Sequence, residues 1–175
     1  LGIQNVMALR GDAMSHQKYF EPSKNGNHFA KDLVKQISDL NCGKYLHDVM
    51  EADHKADFCI GVAGYPEKHL EAPSLQTDLK RLKEKVDAGA DYVVTQMFFD
   101  NKKYFKFVEA AKKAGINIPI IPGIKPIAVK RHLQLLPQVF KIDLPEALIN
   151  SVENCKSNTD VRQVGIEWTI QQSKE

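Results

Sequence analysis

Four short apolar runs alternate along the chain with longer segments in which apolar and polar residues are mixed. The runs are Asn5–Leu9, Phe58–Ala63, Tyr92–Gln96 and Ile118–Ile124. Each is almost continuous in apolar residues, which is typical of strands buried on both faces of a parallel sheet. The pattern therefore predicts four parallel strands.

The segments between these runs carry apolar residues at helical spacing. The predicted helices are Phe29–Leu40, Lys44–His54, Ser74 or Leu75 to Ala88, Asn101–Ala114, Val129–Leu136 and Asp160–Gln172. Gly89 and Gly115 stand where two of these helices should end. The stretch from Gly11 to Asn27 is rich in Gly, Pro, Ser and Asn, which predicts a long loop. Alternating strands and helices indicate right-handed crossover connections.

Two architectures fit this alternation, an open doubly wound sheet and a barrel. No strand is followed by the Gly-x-Gly-x-x-Gly turn of a dinucleotide-binding sheet, which favours the barrel. A complete barrel needs about 250 residues, whereas the 175 residues here hold four strands. We therefore interpret residues 1–175 as one domain of an α/β fold of the (β/α)8 TIM-barrel type. It supplies about four β/α units and a terminal helix. The chain opens on a strand without an initiator Met and closes on a helix, as expected of part of a barrel.

Composition and charge narrow the class of protein. The chain is 43% hydrophobic and 26% charged, an ordinary globular composition. No apolar run approaches the roughly 20 residues that span a bilayer, and the N-terminus lacks the features of a signal peptide. These observations predict a cytoplasmic protein without a membrane partner. The net charge is only +2, and basic residues are interleaved with acidic ones, so no nucleic-acid partner is expected.

The cysteines give no sign of a metal centre. Cys42, Cys59 and Cys155 are odd in number and far apart, without the spacing of a zinc site. We expect reduced thiols and no bound metal.

Candidate ligand-binding residues follow the predicted strands, because loops at the carboxyl ends of parallel strands gather functional groups. Asp12 ends the first strand, Tyr65 and His69 lie in the loop after the second, and Gln96 ends the third. Taken alone, each also has a plain structural interpretation, such as a loop cap or a hydrogen bond to a neighbouring backbone group. Residues 78, 81 and 85 share one helix face, which alone predicts an exposed charged stripe.

Four motifs together resemble the methylenetetrahydrofolate reductase family, and they occur in the family's order. They are Ala8–Asp12 (ALRGD), Gly64–Ala72 (GYPEKHLEA), Asp78–Ala90 (DLKRLKEKVDAGA) and Thr95–Phe99 (TQMFF). The resemblance covers essentially the whole chain. It implies that the strands are the fourth to seventh of the family's eight. The family's acidic catalytic residue lies in a preceding segment that no motif here matches.

The resemblance implies an FAD-dependent oxidoreductase with NADH or NADPH as electron donor. Such a flavoprotein reduces 5,10-methylenetetrahydrofolate to 5-methyltetrahydrofolate by ping-pong hydride transfer through the flavin. The folate is the small-molecule substrate, and the reaction belongs to one-carbon metabolism and methionine biosynthesis.

The same resemblance implies roles for particular residues. Asp12 would be catalytic and would contact both flavin and folate, and Gln96 would bind the folate. The implied FAD-binding positions are Arg10, Gly11, Asp12, Phe29, Ala30, Tyr65, His69, Leu70, Glu71, Ala72, Asp78 and Lys85. Leu70 stands where the family often has Pro, which loosens the loop. Phe29 lacks the hydroxyl of a Tyr that often stands there, so only a packing role carries over.

Two alternatives remain open from the sequence. The first is a non-catalytic half barrel that pairs with another copy through an open sheet edge and binds FAD weakly or not at all. A homo-oligomer is also expected for the reductase. The second is a phosphate-binding barrel aldolase or isomerase with Lys125 as its reactive amine, although Pro122–Pro126 fits the family's PGI-x-P motif better. Trp168 and the Ile166/Ile170 stripe are interpreted as helix core.

Overall fold

The computed structural model describes residues 2–13, 20–46 and 55–175. These ranges form four strands and six helices. In chain order they are β1 Asn5–Ala8, α1 Ala30–Asn41, β2 Cys59–Gly64, α2 Leu75–Asp87, β3 Tyr92–Thr95, α3 Asn101–Lys113, β4 Ile120–Ile121, α4 His132–Phe140, α5 Glu146–Glu153 and α6 Asn158–Lys174.

The four strands form one parallel sheet in the order β1-β2-β3-β4. Val6 lies beside Ile60, Val62 beside Val93, and Val93 beside Ile120. All four carboxyl ends therefore meet at one edge, where the loops after the strands come together. The predicted parallel α/β fold is confirmed, and closure into an eight-stranded barrel stays a prediction.

Helices α1, α2 and α3 pack on one face of the sheet. Val62 and Val93 from the strands and Phe107 from α3 are buried in this core. Strand side chains alternate between faces, and Met7 and Ile121 are 38% and 46% exposed. The helices thus bury one face of the sheet, while the other carries partly exposed apolar groups.

A second core lies beyond the sheet and joins the last three helices to the segment after β3. Its buried members are Phe99, Ile127, Leu136, Ile142, Leu148, Val152 and Val161. Helix α5 belongs to this core and was not predicted. Its signals were Pro145 at the N-cap and an apolar pair, Leu148 and Val152, four residues apart.

Several predicted boundaries were wrong in instructive ways. Strand β4 has two residues rather than seven, because Pro119 and Pro122 flank it and proline donates no backbone hydrogen bond to a sheet. Helix α4 starts at His132, after a turn, and continues past Pro137 instead of ending at Leu136. The predicted helix Lys44–His54 is not helical at residues 44–46, and its residues 47–54 lie outside the described part of the chain.

The interpretation of α6 also needs correction, since Ile166 and Ile170 are not core. They are 47% and 49% exposed, whereas Val161 and Gly165 are buried on another side of the helix. Trp168 does pack on the second core, and its indole Nε1–H donates to the Phe99 carbonyl at 3.3 Å. Residues four apart share a helix face, so both isoleucines lie on the solvent side.

Gly165 is the contact that allows α6 to approach the segment after β4. A Cβ atom there would lie 2.0 Å from the Ile127 carbonyl oxygen. Gly165→Ala should lower the free energy of unfolding by about 2 kcal/mol through overpacking, although Ala is the better helix former. Urea unfolding measures this, with the exposed Gln171→Ala on the same helix as control. Equal or higher stability of the Gly165 variant would contradict the close approach.

Candidate functional site

A cleft of about 440 Å³ opens at the carboxyl ends of β1 and β2, with α2 as one wall. Nine residues that the sequence assigned to a ligand site line this cleft. They are Arg10, Asp12, Phe29, Ala30, Tyr65, His69, Glu71, Asp78 and Lys85. They come from four separate segments of the chain, which the parallel sheet and its crossovers bring together.

Four further residues assigned from sequence do not line the cleft. Gly11 lies between two residues that do, Leu70 is 59% exposed, and Ala72, at the end of the loop after β2, is buried. Gln96 follows β3, where its Oε1 accepts the Met97 N–H at 3.1 Å and its own N–H donates to the Gly64 carbonyl at 2.8 Å. Their roles toward a ligand stay predictions.

The loop after β2 consists of two consecutive turns. Lys68 N–H donates to the Tyr65 carbonyl at 3.1 Å, and Ala72 N–H donates to the His69 carbonyl at 3.0 Å. Lys68 has φ of 83°, a left-handed conformation that is uncommon for a residue with a side chain. Its ammonium donates to the Ala72 carbonyl at 2.6 Å, so the lysine spans the second turn and holds the loop in shape.

Asp78 attaches this loop to helix α2. The side chain is 8% exposed, and its Oδ2 accepts the backbone N–H of His69 at 2.9 Å. It stands in the first turn of the helix, which begins at Leu75. The N-cap residue before it is Ser74, whose hydroxyl accepts the Thr77 N–H at 3.1 Å. A carboxylate is favourable there because helix N-termini carry partial positive charge.

Tyr65 and His69 form an edge-to-face pair at the mouth of the loop. Their ring centroids are 4.6 Å apart, with the planes at 75°. Burial lowers the pKa of His69 and raises the pKa of Tyr65. The His69 Nδ1 accepts the Glu71 N–H at 3.1 Å, which places the ring proton on Nε2. At neutral pH the pair therefore offers the cleft an uncharged imidazole and a protonated phenol.

Arg10 joins the tip of β1 to the loop after β2. Its guanidinium donates to Glu71 Oε1 at 2.6 Å and lies 5.0 Å from the centre of the Phe20 ring. The hydrogen bond from Arg10 lowers the pKa of Glu71, which keeps this carboxylate ionised. The contact fixes the relative position of two cleft-lining segments.

Lys85 is the most perturbed basic group at the cleft. Burial lowers its pKa to about 8, and the charge of Asp78 offsets only part of this shift. The ammonium donates to the Ala63 carbonyl of β2. A lysine in this setting switches between charged and neutral forms close to neutral pH.

The sequence assignment missed several cleft residues on α2 and at the start of α1. These are Lys31, Thr77, Lys80 and Glu84. Arg81 also lines the cleft, on the same helix face as Asp78 and Lys85. The residues of α2 repeat at intervals of three or four, which was a usable signal for one helix face. Lys31 and Glu84 form an ion pair at 2.9 Å, which no local pattern indicates. With Arg10 and Lys85, the cleft has five cationic side chains.

Neither a metal-binding cluster nor a membrane-spanning helix is found in the described residues 2–13, 20–46 and 55–175. No three His, Cys, Asp or Glu side chains among them are grouped so as to hold a metal ion. No helix within these ranges has the length and apolar character to cross a membrane.

Fold and site together define a parallel α/β protein with a charged cleft at the carboxyl ends of its strands. The family model for methylenetetrahydrofolate reductase matches residues 1–175. Methylenetetrahydrofolate reductase 2 of Saccharomyces cerevisiae is 36% identical over 173 residues, and methylenetetrahydrofolate reductase (NADH) 1 of Arabidopsis thaliana is 40% identical over 183. The chain therefore belongs to the methylenetetrahydrofolate reductase family.

The match covers nearly all of this chain but a smaller part of its relatives. It spans 97% and 99% of the chain, and 27% and 29% of the yeast and plant proteins. A solved structure from Clostridium thermocellum, described as an uncharacterized protein binding two copies of 5-methyl-5,6,7,8-tetrahydrofolic acid, aligns with a TM-score of 0.51 and 20% identity. It covers 67% of this chain and 41% of that one, and at this identity the likeness extends to the fold alone.

The lowered pKa of Lys85 leads to a pH-dependent stability. The unfolded chain, with an ordinary lysine pKa of about 10.4, binds more protons than the folded chain above pH 8. The contribution of Lys85 to the free energy of unfolding therefore rises with pH between about 8 and about 10.4. The free energy of unfolding of the wild type, measured relative to that of Lys85→Met, should increase by about 2 kcal/mol between about pH 7.5 and about pH 9.5. Urea unfolding at both values measures this, with Lys106→Met on the exposed side of α3 as control. A constant difference would refute the lowered pKa.

Proposed function

We propose that this chain forms the flavin- and folate-binding part of an enzyme that reduces 5,10-methylenetetrahydrofolate to 5-methyltetrahydrofolate. FAD is the proposed cofactor and NADH or NADPH the electron donor. The observation that carries the proposal is that nine residues which the family resemblance assigns to FAD, from four segments of the chain, converge on one cleft. Family membership supports the reaction class. We place the reaction in one-carbon metabolism and methionine biosynthesis, in the cytoplasm.

The chemistry of the cleft fits a dinucleotide such as FAD. Five cationic side chains suit its phosphates, while Phe29 and Tyr65 offer aromatic surface for ring contacts. Asp78 and Glu84 add acceptors for hydroxyl groups. Among these, Lys85 and Arg81 on α2 would hold the phosphates, and the loop with Tyr65 and His69 would border the flavin.

When bound, FAD would take a hydride from the nicotinamide and later deliver it to the folate methylene carbon. The chain's own residues provide position and charge. Asp12, at the tip of β1, places a carboxylate at the cleft and disfavours additional negative charge there. Gln96 has an amide that suits the edge of a pterin ring, since it offers both a donor and an acceptor. The family's general acid has no counterpart by motif here.

A second candidate is a non-catalytic half barrel that self-associates. The observation in its favour is the sheet face with partly exposed Met7 and Ile121, opposite the helices. A homo-oligomer that covers this face is compatible with either function. The phosphate-binding aldolase or isomerase gains no support, because Lys125 does not line the cleft.

The direct test is the visible spectrum of the purified chain titrated with FAD, followed by anaerobic NADH and then methylenetetrahydrofolate. We expect a perturbed flavin spectrum, bleaching by NADH, and little reoxidation by folate, because no residue here matches by motif the family's acid that assists opening of the folate ring. Full reoxidation would show that the chain contains all that turnover needs. Absence of any flavin binding would reject the proposal and leave the half barrel.

Asp12 gives a sharper prediction. Removing its charge in Asp12→Asn should raise the flavin reduction potential, on the order of 30 mV, because the reduced cofactor carries more negative charge than the oxidised one. Reduction by NADH should become faster. Spectroelectrochemical titration measures the potential. The control is Asp57→Asn, because Asp57 is exposed and precedes β2, at the edge of the sheet opposite to the cleft. An unchanged or lower potential would place Asp12 away from the flavin.

A further inference from the structure

A second charged cluster lies outside the cleft. It consists of Glu67 in the loop after β2, Lys103 in the first turn of α3 and Asp143 between α4 and α5. The Lys103 ammonium donates to both carboxylates. Glu67 Oε2 also accepts the backbone N–H of Asp143 at 3.0 Å. The Glu67 side chain is 8% exposed, so it is the buried member of the cluster.

This cluster connects the two loops that carry the proposed ligand residues. Glu67 stands midway between Tyr65 and His69 in the segment Gly64–Ala72, which we term the cofactor loop. The segment Gln96–Asp100, which we term the substrate loop, leads into α3, and Lys103 is the third residue of that helix. One ion pair therefore links the two loops, in addition to the backbone hydrogen bond from Gln96 to Gly64.

The substrate loop is itself fixed to helix α6. The Gln172 amide donates to the Phe98 carbonyl at 2.9 Å, and the Trp168 indole donates to the Phe99 carbonyl. Asn101, at the start of α3, donates to the Gln172 carbonyl at 2.9 Å. Lys103 thus extends from an anchored helix terminus, whereas Glu67 belongs to a loop of consecutive turns.

The cluster is not arranged for stability alone. Glu67 Oε1 is buried without a hydrogen-bond partner, the one such side-chain atom in the described part of the chain. Burial raises the pKa of Glu67 despite the hydrogen bond from Lys103. Buried ion pairs can often be replaced by neutral groups without loss of stability. An incompletely satisfied carboxylate in a ligand-binding loop points to a geometric role.

We propose that Glu67 and Lys103 are positioning residues that hold the cofactor loop at a fixed distance from the substrate loop. Their ion pair sets Tyr65 and His69 relative to Gln96. The identity of the ligands rests on the proposed function, but the coupling between the loops does not.

The test uses the neutral double variant Glu67→Gln/Lys103→Met in the full chain. Its control is Glu109→Gln/Lys113→Met, which removes an exposed ion pair of the same helix. Hydrogen exchange is measured without flavin at Lys68 and Ala72, whose N–H groups close the loop turns, and at Ala88, the C-cap residue of α2, for comparison. Urea unfolding and the FAD dissociation constant complete the measurements.

We expect about tenfold faster exchange at Lys68 and Ala72, unchanged exchange at Ala88, unchanged unfolding and about tenfold weaker FAD binding. The single variant Lys103→Arg, which keeps the charge and the ion pair with Glu67, should give wild-type values for each of these quantities. Unchanged loop exchange in the double variant would overturn the proposal. So would a uniform rise in exchange with lower stability, which would indicate a merely structural role. If the wild-type chain binds no FAD, the proposed function fails, while the exchange data still decide the loop coupling.

Discussion

Parallel pairing of the strands is the constraint on which the rest of the structure depends. Because β1, β2 and β3 run in the same direction, their carboxyl ends and following loops meet at one edge. Each connection must return across the sheet, and the described crossovers do so through α1, α2 and α3 on one face. The tip of β1, the loop after β2 and the start of α1 are distant in sequence, yet all border one cleft.

Charge within that cleft is balanced rather than uniformly positive. Asp78 accepts the backbone N–H of His69, Glu71 pairs with Arg10, and Glu84 pairs with Lys31. The two ion pairs neutralise part of the positive charge of Arg10 and Lys31. Together with the Asp78 hydrogen bond, they order the loop and the helix that they join. Lys80, Arg81 and Lys85 form no ion pair among the described residues, so they are the cations available to an anionic ligand.

Much of the fold was predictable because it depends on local patterns. Apolar runs located all four strands, and Gly89 and Gly115, both at positive φ, ended their helices as predicted. The errors arose where nonlocal packing decides. Ile166 and Ile170 have core-like spacing, yet the second core lies on the other side of α6. For the site, loop position and family resemblance identified nine residues that line the cleft. The contact of Glu67 with Lys103 and the pairing of Lys31 with Glu84 were not predictable, because the partners are 36 and 53 positions apart in the sequence.

The hydrogen bond between Trp168 and the Phe99 carbonyl gives the molecule an intrinsic optical reporter. The chain contains a single tryptophan, so its fluorescence arises from one place. That place lies at the junction between α6 and the loop that carries Gln96. Indole emission depends on the hydrogen bonding and polarity around the ring. Its wavelength and intensity therefore follow the state of this loop, without an introduced label.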